Sequence, residues 1–329
     1  MRTLNFSTMS FFRLIFLCIA SCGLLLACGP QEQPEPPADD PDTITNAMSH
    51  FPDFDFQGHR GARGLLPENT IPSFLKALEY PITTMEFDLV VSADSQLVIS
   101  HEPWFHHDIS TAPDGSPVSP PQAPEFNIFG MDYDEIAAFD VGQRGNPRFP
   151  EQQPMPAVKP LMREAIEAIE AQVAEMNREP VLYNIEMKST PEWTGSYVPE
   201  PETFARLLYE ELRELDMLER VFIQSFDVRT LQAMRQIDEN LPLVLLVEND
   251  RGVASNISQL GFIPEVYSPY FMRVDEAAVA QVQAEGMRLV PWTINEKEDM
   301  HRLIDMGVDG LITDYPDRAT EVLESRGML

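Results

Sequence analysis

From Phe54 onward, short apolar runs alternate with segments in which apolar residues recur every three or four positions. The runs predict buried strands, and the second pattern predicts helices with one buried face. Regular alternation of the two is typical of an α/β domain with a parallel sheet. The predicted strands are residues 54–58, 84–91, 97–101, 181–187, 221–225, 243–247, 266–268, 289–293 and 311–313.

The helical pattern is clear before the fourth strand. A single apolar face there is formed by Met162, Ile166, Ile169, Val173 and Met176. Two other helical runs are followed by Gly286 and Gly307, each just before a strand. Glycine is favoured after the last helical residue, so we expect both to cap helices.

Nine strands are one too many for an eight-stranded barrel. Asp94 and Ser95, both turn-forming residues, lie midway between the second and third strands. A two-residue turn there predicts a hairpin whose paired residue numbers sum to 189, so that Asp88 faces His101 and Glu86 shares their side of the sheet. The other eight strands then predict a (β/α)₈ TIM barrel.

A proline-rich insertion, residues 102–160, follows the hairpin. It holds eleven of the 29 prolines and one short helical pattern at residues 132–139. Because it leaves the hairpin at the C-terminal mouth of the barrel, we expect it to lie over the mouth. A long loop there is typical of a lid or specificity element, although a passive excursion fits the sequence equally well. The predicted barrel domain is residues 51–329, with the insertion inside it.

The first 50 residues have a different character. Residues 14–27 are a short apolar run, preceded by Arg2 and Arg13 and followed by Cys28, which resembles a lipoprotein signal peptide over residues 1–27. Cleavage before Cys28 would be followed by attachment of a lipid to its thiol, which would anchor the protein to a membrane. The alternative is an ordinary secretory signal peptide. Residues 28–50 contain five prolines and several acids without periodicity, and predict a disordered tether. The expected location is the bacterial cell envelope, facing the periplasm or the cell surface.

Charge and cysteine content exclude several classes of partner and site. The chain of 329 residues has 23 Lys+Arg and 53 Asp+Glu, a net charge of -30. Such a surface repels nucleic acid. The three cysteines are Cys18, Cys22 and Cys28, so the barrel domain has neither a disulfide scaffold nor a thiolate zinc site. No protein partner is evident.

Candidate chemistry lies at the ends of the predicted strands. His59 and His101 both end apolar strands, where barrel active sites are built, and imidazoles exchange protons near neutral pH. Glu86 and Asp88 share one side of a strand, and Glu186 ends another. Neighbouring carboxylates inside a barrel need a cation. Three oxygen ligands without cysteine favour one divalent cation, Mg²⁺ or Ca²⁺.

Eight short motifs in order give the chain a resemblance to the glycerophosphodiester phosphodiesterase family. The resemblance covers about residues 55–320. The motifs are Gly58-His59-Arg60-Gly61, Pro67-Glu68-Asn69-Thr70, Glu86-Phe87-Asp88, Ser100-His101-Glu102, Ile185-Glu186-Met187-Lys188, Gln224-Ser225-Phe226, Trp292-Thr293-Ile294-Asn295 and Asp309-Gly310-Leu311-Ile312-Thr313-Asp314-Tyr315-Pro316. Glu102 departs from the family, which commonly has Asp after the histidine, but the acid is retained.

The resemblance implies a role for each matching residue. Glu86, Asp88 and Glu186 would hold the divalent metal, and His59 and His101 would form the acid–base pair. Arg60 and Lys188 would bind the phosphate of a glycerophosphodiester, which would be hydrolysed to sn-glycerol 3-phosphate and an alcohol. A phospholipase D-like lyase that forms a cyclic phosphate, and a non-catalytic lipoprotein that binds phosphodiesters, are the alternatives.

Other residues in these motifs have structural interpretations too. Trp292 is expected to wall the alcohol pocket, or to contact a choline head group by a cation–π interaction. Pro67-Glu68-Asn69-Thr70 fits a helix entry capped by Asn69 or Thr70. Gln224 and Ser225 fit either pocket lining or strand-end packing. His106, His107 and Asp108 fit a solvated loop better than a second metal site.

Overall fold

A computed structural model describes residues 51–329 of the chain. The predicted signal peptide (1–27), the lipidation site at Cys28 and the predicted tether (28–50) lie outside the described residues. Within residues 51–329, no helix has both the length and the apolar character that a membrane crossing requires.

Nine strands form one sheet, and eight of them are parallel. Their order is β8-β7-β6-β5-β4-β2-β1-β9, with β3 antiparallel to β2 outside this path. Backbone hydrogen bonds from Asp309 to Leu289 (2.9 Å) and from Ile312 to Pro291 (3.1 Å) join the two ends of the order. The strands are β1 Asp55–Gly58, β2 Thr84–Val91, β3 Leu97–Ile99, β4 Leu182–Met187, β5 Val221–Ser225, β6 Leu243–Val247, β7 Val266–Pro269, β8 Arg288–Leu289 and β9 Gly310–Thr313. The predicted TIM barrel is confirmed.

Helices alternate with the parallel strands around the barrel, and a short helix, residues 133–136, lies in the insertion. They are α1 Ile71–Ala77, α2 Tyr133–Ile136, α3 Met162–Glu175, α4 Pro201–Glu214, α5 Val228–Ile237, α6 Val253–Leu260, α7 Glu276–Ala284, α8 Lys297–Met306 and α9 Pro316–Ser325. Short 3₁₀ turns are Ala123–Glu125, Ile128–Gly130, Leu218–Arg220 and Phe271–Arg273. Gly307 ends α8 with φ +87°, and Gly286 follows α7 with φ +76°, which confirms the predicted helix ends.

Two sequence expectations were wrong in detail. Met176 lies just beyond the end of α3 and is 42% exposed, so it does not join the buried face of that helix. The eighth strand is β8 Arg288–Leu289 rather than residues 289–293. Pro269 of β7 has no N–H to donate to the Val290 carbonyl, so the regular ladder between β7 and β8 is interrupted, although Val290 and Trp292 still donate to Tyr267 and Pro269.

The hairpin register also differs from the prediction. Val90 pairs with Val98, so paired residue numbers sum to 188 and Asp88 lies opposite Ser100 instead of His101. The turn holds three residues, with Ser95 at φ +63°, because a three-residue loop ends in a left-handed residue. β3 ends at Ile99, and His101 reaches the mouth from the segment beyond it.

The insertion has a hydrophobic core of its own. Phe105, Ile128 and Phe139 pack with other apolar residues against Val90 and Val98, on the hairpin face that continues the inward side of Glu86 and Asp88. It also contacts loops beside the mouth, where Gln152 donates to the Arg63 carbonyl (2.7 Å). The segment therefore packs against the side of the mouth.

The barrel interior divides into two halves. Inward-facing side chains of β1, β2, β4 and β5 form the polar half, and those of β6, β7, β9 and the residues after β8 form the apolar half. The polar half contains Asp55, Gln57, Thr84, Glu86, Asp88, Asn184, Glu186 and Gln224. The apolar half contains Val244, Leu246, Val266, Val290 and Ile312, together with Ser268.

The amino ends of the strands form the closed end of the barrel. Leu182 and Phe222 join the apolar half there, and Phe51 packs on this layer with its ring centroid 3.9 Å from that of Phe222. The carboxyl ends form the mouth, where the predicted site residues lie.

Candidate active site

A cavity of about 150 Å³ opens at the mouth of the barrel. It brings together seven of the residues that the sequence predicted, and Asp88 lies directly behind them. Its lining is His59, Arg60, Arg63, Glu86, His101, Glu186, Lys188, Gln224, Phe226, Leu246, Trp292, Thr293 and Ile312.

The three predicted metal ligands form one cluster. Glu86, Asp88 and Glu186 each offer an oxygen, and these atoms lie within 4.8 Å of one another. Asp88 and Glu186 are direct partners in the β2–β4 register, and Glu86 precedes Asp88 by two residues, so all three side chains point inward. All three are buried.

Burial gives this cluster unusual proton affinities. Loss of water and the nearby Asp88 charge raise the pKa of Glu86 well above its ordinary value. Burial raises the pKa of Glu186 to about 7 despite the neighbouring Lys188. The pKa of Asp88 moves the opposite way: burial alone would raise it, but Arg60, His101 and Lys188 together lower it. Oδ1 of Asp88 has no hydrogen-bond partner. Buried oxygens of this kind, without thiolate or imidazole, fit a hard divalent cation.

Neighbouring groups fix the orientation of these carboxylates. Gln224 Nε2 donates to Glu86 Oε1 (2.7 Å), and the Arg60 backbone N–H donates to Glu86 Oε2 (2.8 Å). Arg60 adopts φ +50° and Gly61 φ +84° in the turn after β1. A Cβ on Gly61 would lie 2.7 Å from Ser73, so this tight turn requires glycine.

The entry to α1 contributes to the cluster as well. Thr70 is the N-cap, since its Oγ1 accepts from the Ser73 N–H (3.4 Å). Asn69 instead turns its side chain inward, where Nδ2 donates to Asp88 Oδ2 (2.8 Å). Of the two caps that the sequence allowed, Thr70 is therefore correct.

His59 is held by a carboxylate that the sequence analysis assigned no role. Its Nδ1 lies 2.6 Å from Asp314 Oδ1, and Asn295 Nδ2 donates to the other oxygen of Asp314 (2.8 Å). Burial lowers the pKa of His59, which favours the neutral ring with its proton on Nδ1. Nε2 then faces the cavity as an acceptor, 3.9 Å from Glu86. Asp314 follows β9 directly, and its position at a strand end is the signal that could have found it.

His101 has a matching arrangement on the opposite side of the cluster. Its Nδ1 lies 2.7 Å from Glu102 Oε1, so the Glu that replaces the family's usual Asp still reaches the ring. Burial and the nearby charges of Arg60 and Lys188 lower the pKa of His101 to about 4.

The two predicted phosphate-binding cations line the cavity and are already paired with acids. Arg60 Nη1 donates to Glu68 Oε1 (2.6 Å), and its Nε lies 3.1 Å from Asp88. Lys188 Nζ lies 2.8 Å from Glu186 Oε1. These contacts fix both cations at the cavity wall.

Arg63 is a third cation that the sequence analysis missed. Its Nε lies 3.1 Å from Glu68 Oε2 and 3.7 Å from Asp314. Burial alone would raise the pKa of Glu68, but the charges of Arg63 and Arg60 lower it to about 2. Glu68 therefore stays ionised and joins the α1 entry to both arginines.

The opposite wall of the cavity is aromatic and aliphatic. Trp292 contacts Phe226 edge to face at 5.3 Å and Tyr270 at 5.6 Å between ring centroids. Its Nε1 donates to the Ser268 carbonyl (2.9 Å), which fixes the ring. Phe226 is 40% exposed at the rim, and its role was not predicted.

The remaining residues that the sequence analysis considered lie either in the cavity lining or outside it. Gln224 lines the cavity, whereas Ser225 bonds to the Met187 carbonyl and has a packing role. His106, His107 and Asp108 lie on a partly exposed loop outside the cavity lining, and their ligand atoms come within 4.8 Å of one another.

Comparison with known proteins gives a consistent result. The sequence profile of the glycerophosphoryl diester phosphodiesterase family matches residues 59–318. A glycerophosphodiester phosphodiesterase of Caldanaerobacter subterraneus is 28% identical over 271 residues, covering 82% of this chain and 97% of the relative. One of Bacillus subtilis is 29% identical over 271 residues, covering 79% of this chain and 83% of the relative.

A solved structure supports the same assignment. A crystal structure from Silicibacter pomeroyi, whose name places it among the glycerophosphoryl diester phosphodiesterases, superposes with a TM-score of 0.75 at 27% identity. The match covers 86% of this chain and 98% of that one. Profile, relatives and barrel agree over the segment that holds the cavity. The chain therefore belongs to the glycerophosphoryl diester phosphodiesterase family of hydrolases.

Proposed function

We propose that the enzyme hydrolyses glycerophosphodiesters to sn-glycerol 3-phosphate and an alcohol, using one divalent cation and the pair His59 and His101. A single observation carries this proposal: two imidazoles, each held at Nδ1 by its own carboxylate, lie at the same cavity as three buried acids. The imidazoles can exchange protons with a phosphodiester, and the acids can hold a cation that neutralises charge on it.

Glu86, Asp88 and Glu186 are the residues that would hold Mg²⁺ or Ca²⁺. When bound, the cation supplies charge neutralisation for the phosphate oxygens as negative charge develops on them. Arg60 and Lys188 add fixed positive charge beside the same position, since both line the cavity.

His59 is the proposed base. The Asp314 contact keeps its proton on Nδ1 and leaves Nε2 free to accept a proton from the nucleophile. His101 is the proposed acid that protonates the leaving alcohol. Glu102 stabilises its charged form, and the negative charge of a bound phosphate would offset Arg60 and Lys188, whose charges help to lower the pKa of the ring.

The aromatic wall is the proposed site for the alcohol. Trp292 and Phe226 present apolar surface in the same cavity, and Lys188 Nζ lies 5.9 Å from the centroid of the Phe226 ring, so the alcohol would bind next to the phosphate. A choline head group could also contact the Trp292 ring through a cation–π interaction.

Product analysis tests the proposal. Purified enzyme with Mg²⁺ or Ca²⁺ is expected to release glycerol phosphate from glycerophosphocholine or glycerophosphoethanolamine, and a chelator should stop the reaction. Phosphorus NMR separates direct hydrolysis from a lyase, because a lyase accumulates a cyclic phosphate. Binding without turnover of any of these substrates would indicate the non-catalytic alternative and overturn the proposal.

For the N-terminal segment we propose cleavage before Cys28 and a lipid on its thiol, placing the enzyme in the cell envelope. The support is the apolar run of residues 14–27 ending at that cysteine. Mass spectrometry of the mature N-terminus after expression in a bacterium tests it. The Cys28→Ala variant should lose the lipid and leave the membrane fraction, and an unmodified Cys28 in the wild-type protein would contradict it.

A further inference from the structure

A line of hydrogen-bonded side chains crosses the barrel interior from the closed end to the carboxylate cluster. Gln57 Nε2 donates to Asp55 Oδ2 (2.5 Å), and Asn184 Nδ2 donates to Gln57 Oε1 (2.8 Å). Asn184 Nδ2 also donates to Gln224 Oε1 (3.0 Å), whose Nε2 donates to Glu86 Oε1 (2.7 Å). Four strands, β1, β4, β5 and β2, contribute one or two residues each.

None of these side chains has access to water that could replace its partners. Asp55, Asn184, Gln224 and Glu86 are each 1% exposed, and Gln57 is 3% exposed. A buried amide that loses a hydrogen bond costs about 1–3 kcal/mol, so the orientation of each amide depends on its neighbours.

The two ends of the line determine the direction of every hydrogen bond. A carboxylate that holds a cation only accepts, so Gln224 must turn its NH₂ group toward Glu86. At the other end Asp55 Oδ1 already accepts from Thr84 (2.6 Å), and Oδ2 accepts from the NH₂ group of Gln57. Both glutamines then present an oxygen to Asn184. Asn184 has two amide protons and gives one to each.

The cost of this arrangement is visible at Asn184. Its Oδ1 is buried and has no hydrogen-bond partner. Turning the amide over would place that oxygen against two glutamine oxygens, neither of which can donate to it. A double donor is therefore what this position requires, and asparagine is small enough to supply it between two strands.

We propose that Asn184 is a positioning residue for the metal ligand Glu86 and acts through Gln224. With Gln224 held at Oε1 and the Arg60 N–H at Oε2, the Glu86 carboxylate has one orientation beside Asp88 and Glu186. Asp55 and Gln57 hold Asn184 from the other side. The inference rests on the proposed cation site, because it describes how one ligand of that site is oriented.

The Asn184→Leu variant tests the inference, since leucine has the same branched shape with equally many heavy atoms and donates nothing. Titration calorimetry of Mg²⁺ and Ca²⁺ into the purified enzyme should show roughly 10–100-fold weaker binding, the usual effect of losing an outer-shell partner of a ligand. Thermal unfolding checks that the variant is folded. If Asn184→Leu does not fold, Asn184→Asp replaces it, because aspartate offers at most one proton to the two glutamines.

A matched control separates positioning from general loss of a buried amide. Asn256 on α6 is also buried, and its Nδ2 donates to the Tyr267 hydroxyl (2.9 Å). Asn256→Leu removes a comparable hydrogen bond away from this line. It should lower stability and leave the cation Kd unchanged.

A double-mutant cycle with Gln224→Leu tests the route of the effect. If Asn184 acts through Gln224, the double variant binds the cation no more weakly than Gln224→Leu alone. Additive losses would show that Asn184 acts by another route and would overturn the inference, as would an unchanged Kd in Asn184→Leu or Asn184→Asp. Wild-type enzyme that binds neither cation would instead overturn the proposed cation site.

Discussion

The polar and apolar halves of the barrel interior are built from the same kind of parallel strand but hold together differently. Charged and amide groups of the polar half are arranged by hydrogen bonds and by opposite charges, as at Glu86 and Asp88. The apolar half packs Val244, Val266 and Val290 into a buried layer. The candidate site residues lie in the polar half, where burying charged groups costs free energy. The closely packed apolar half beside them supplies the rigidity that such a site needs.

The difference predicts different responses to mutation, acid and cations. Properties of the polar half should depend on proton and cation concentration, because its groups titrate or bind ions. The inward-facing residues named above for the apolar half include no titratable group. A substitution there should therefore lower the free energy of unfolding by the same amount at every pH and cation concentration.

The largest expected effect is on catalysis. His59→Ala and His101→Ala should each lower kcat by about 10²–10⁴-fold, the usual contribution of an acid–base group. Steady-state kinetics on glycerophosphocholine measures this. His301→Ala is the control, because His301 lies on α8 beside Arg326, away from the cavity. Near-normal turnover in either cavity variant would contradict the assignment.

The next largest effect is a loss of stability in acid that involves Glu68. Its pKa is about 2 in the folded protein against an ordinary value of 4.5, so the unfolded chain binds the extra proton as the pH falls from about 4.5 toward 2. Its contribution to stability is complete above that window, on the order of 3 kcal/mol, and is lost within it.

Urea denaturation of the wild type and Glu68→Gln at several pH values measures this contribution. The difference between the two free energies of unfolding should shrink as the pH approaches 3, whereas a valine-to-alanine change at Val290 should cost the same at every pH. A Glu68→Gln difference that does not depend on pH would show that the ion pairs with Arg60 and Arg63 are not responsible.

Cation binding should stabilise the polar half. At a concentration of 100 times Kd, Mg²⁺ or Ca²⁺ is expected to raise the free energy of unfolding by about 2.7 kcal/mol. Thermal unfolding with and without the cation detects the shift. Glu186→Gln should remove most of it, and Val290→Ala should keep it in full. An equal shift in Glu186→Gln would place the cation elsewhere.

The smallest expected effect concerns the aromatic wall. Trp292→Ala should raise KM for glycerophosphocholine about tenfold, equivalent to 1.4 kcal/mol, with little change in kcat. Trp292→Phe keeps an aromatic ring at the wall and serves as the control. A large fall in kcat without a change in KM would instead mean that Trp292 supports the charged groups across the cavity.

Much of the fold could be predicted from sequence because strand and helix periods are local. The strands that carry His59, Glu86, Asp88 and Glu186 end where apolar runs end, and the barrel then brings those ends together. The hairpin register was wrong by one residue, since turn length depends on whether Ser95 adopts a left-handed conformation.

The partners of the predicted residues were harder to predict. Asp314 lies 255 positions from His59, and Gln224 lies 138 positions from Glu86. Which inward-facing side chains come into contact depends on how the barrel closes and on how far neighbouring strands are shifted along one another. The hydrogen-bond partners of Asp55 and Asn184 could not be predicted either. The sequence around a polar residue in a short strand does not indicate which residue it faces across the barrel interior.

The position of Phe51 has a practical consequence for handling the enzyme. Its ring covers the closed end, so the chain before it is joined to the barrel at the end opposite the cavity. A fusion partner, an affinity tag or a solid support attached ahead of Phe51 is therefore bonded at the end away from the proposed active site. Immobilisation through this end should leave the route of small solutes into the mouth unobstructed.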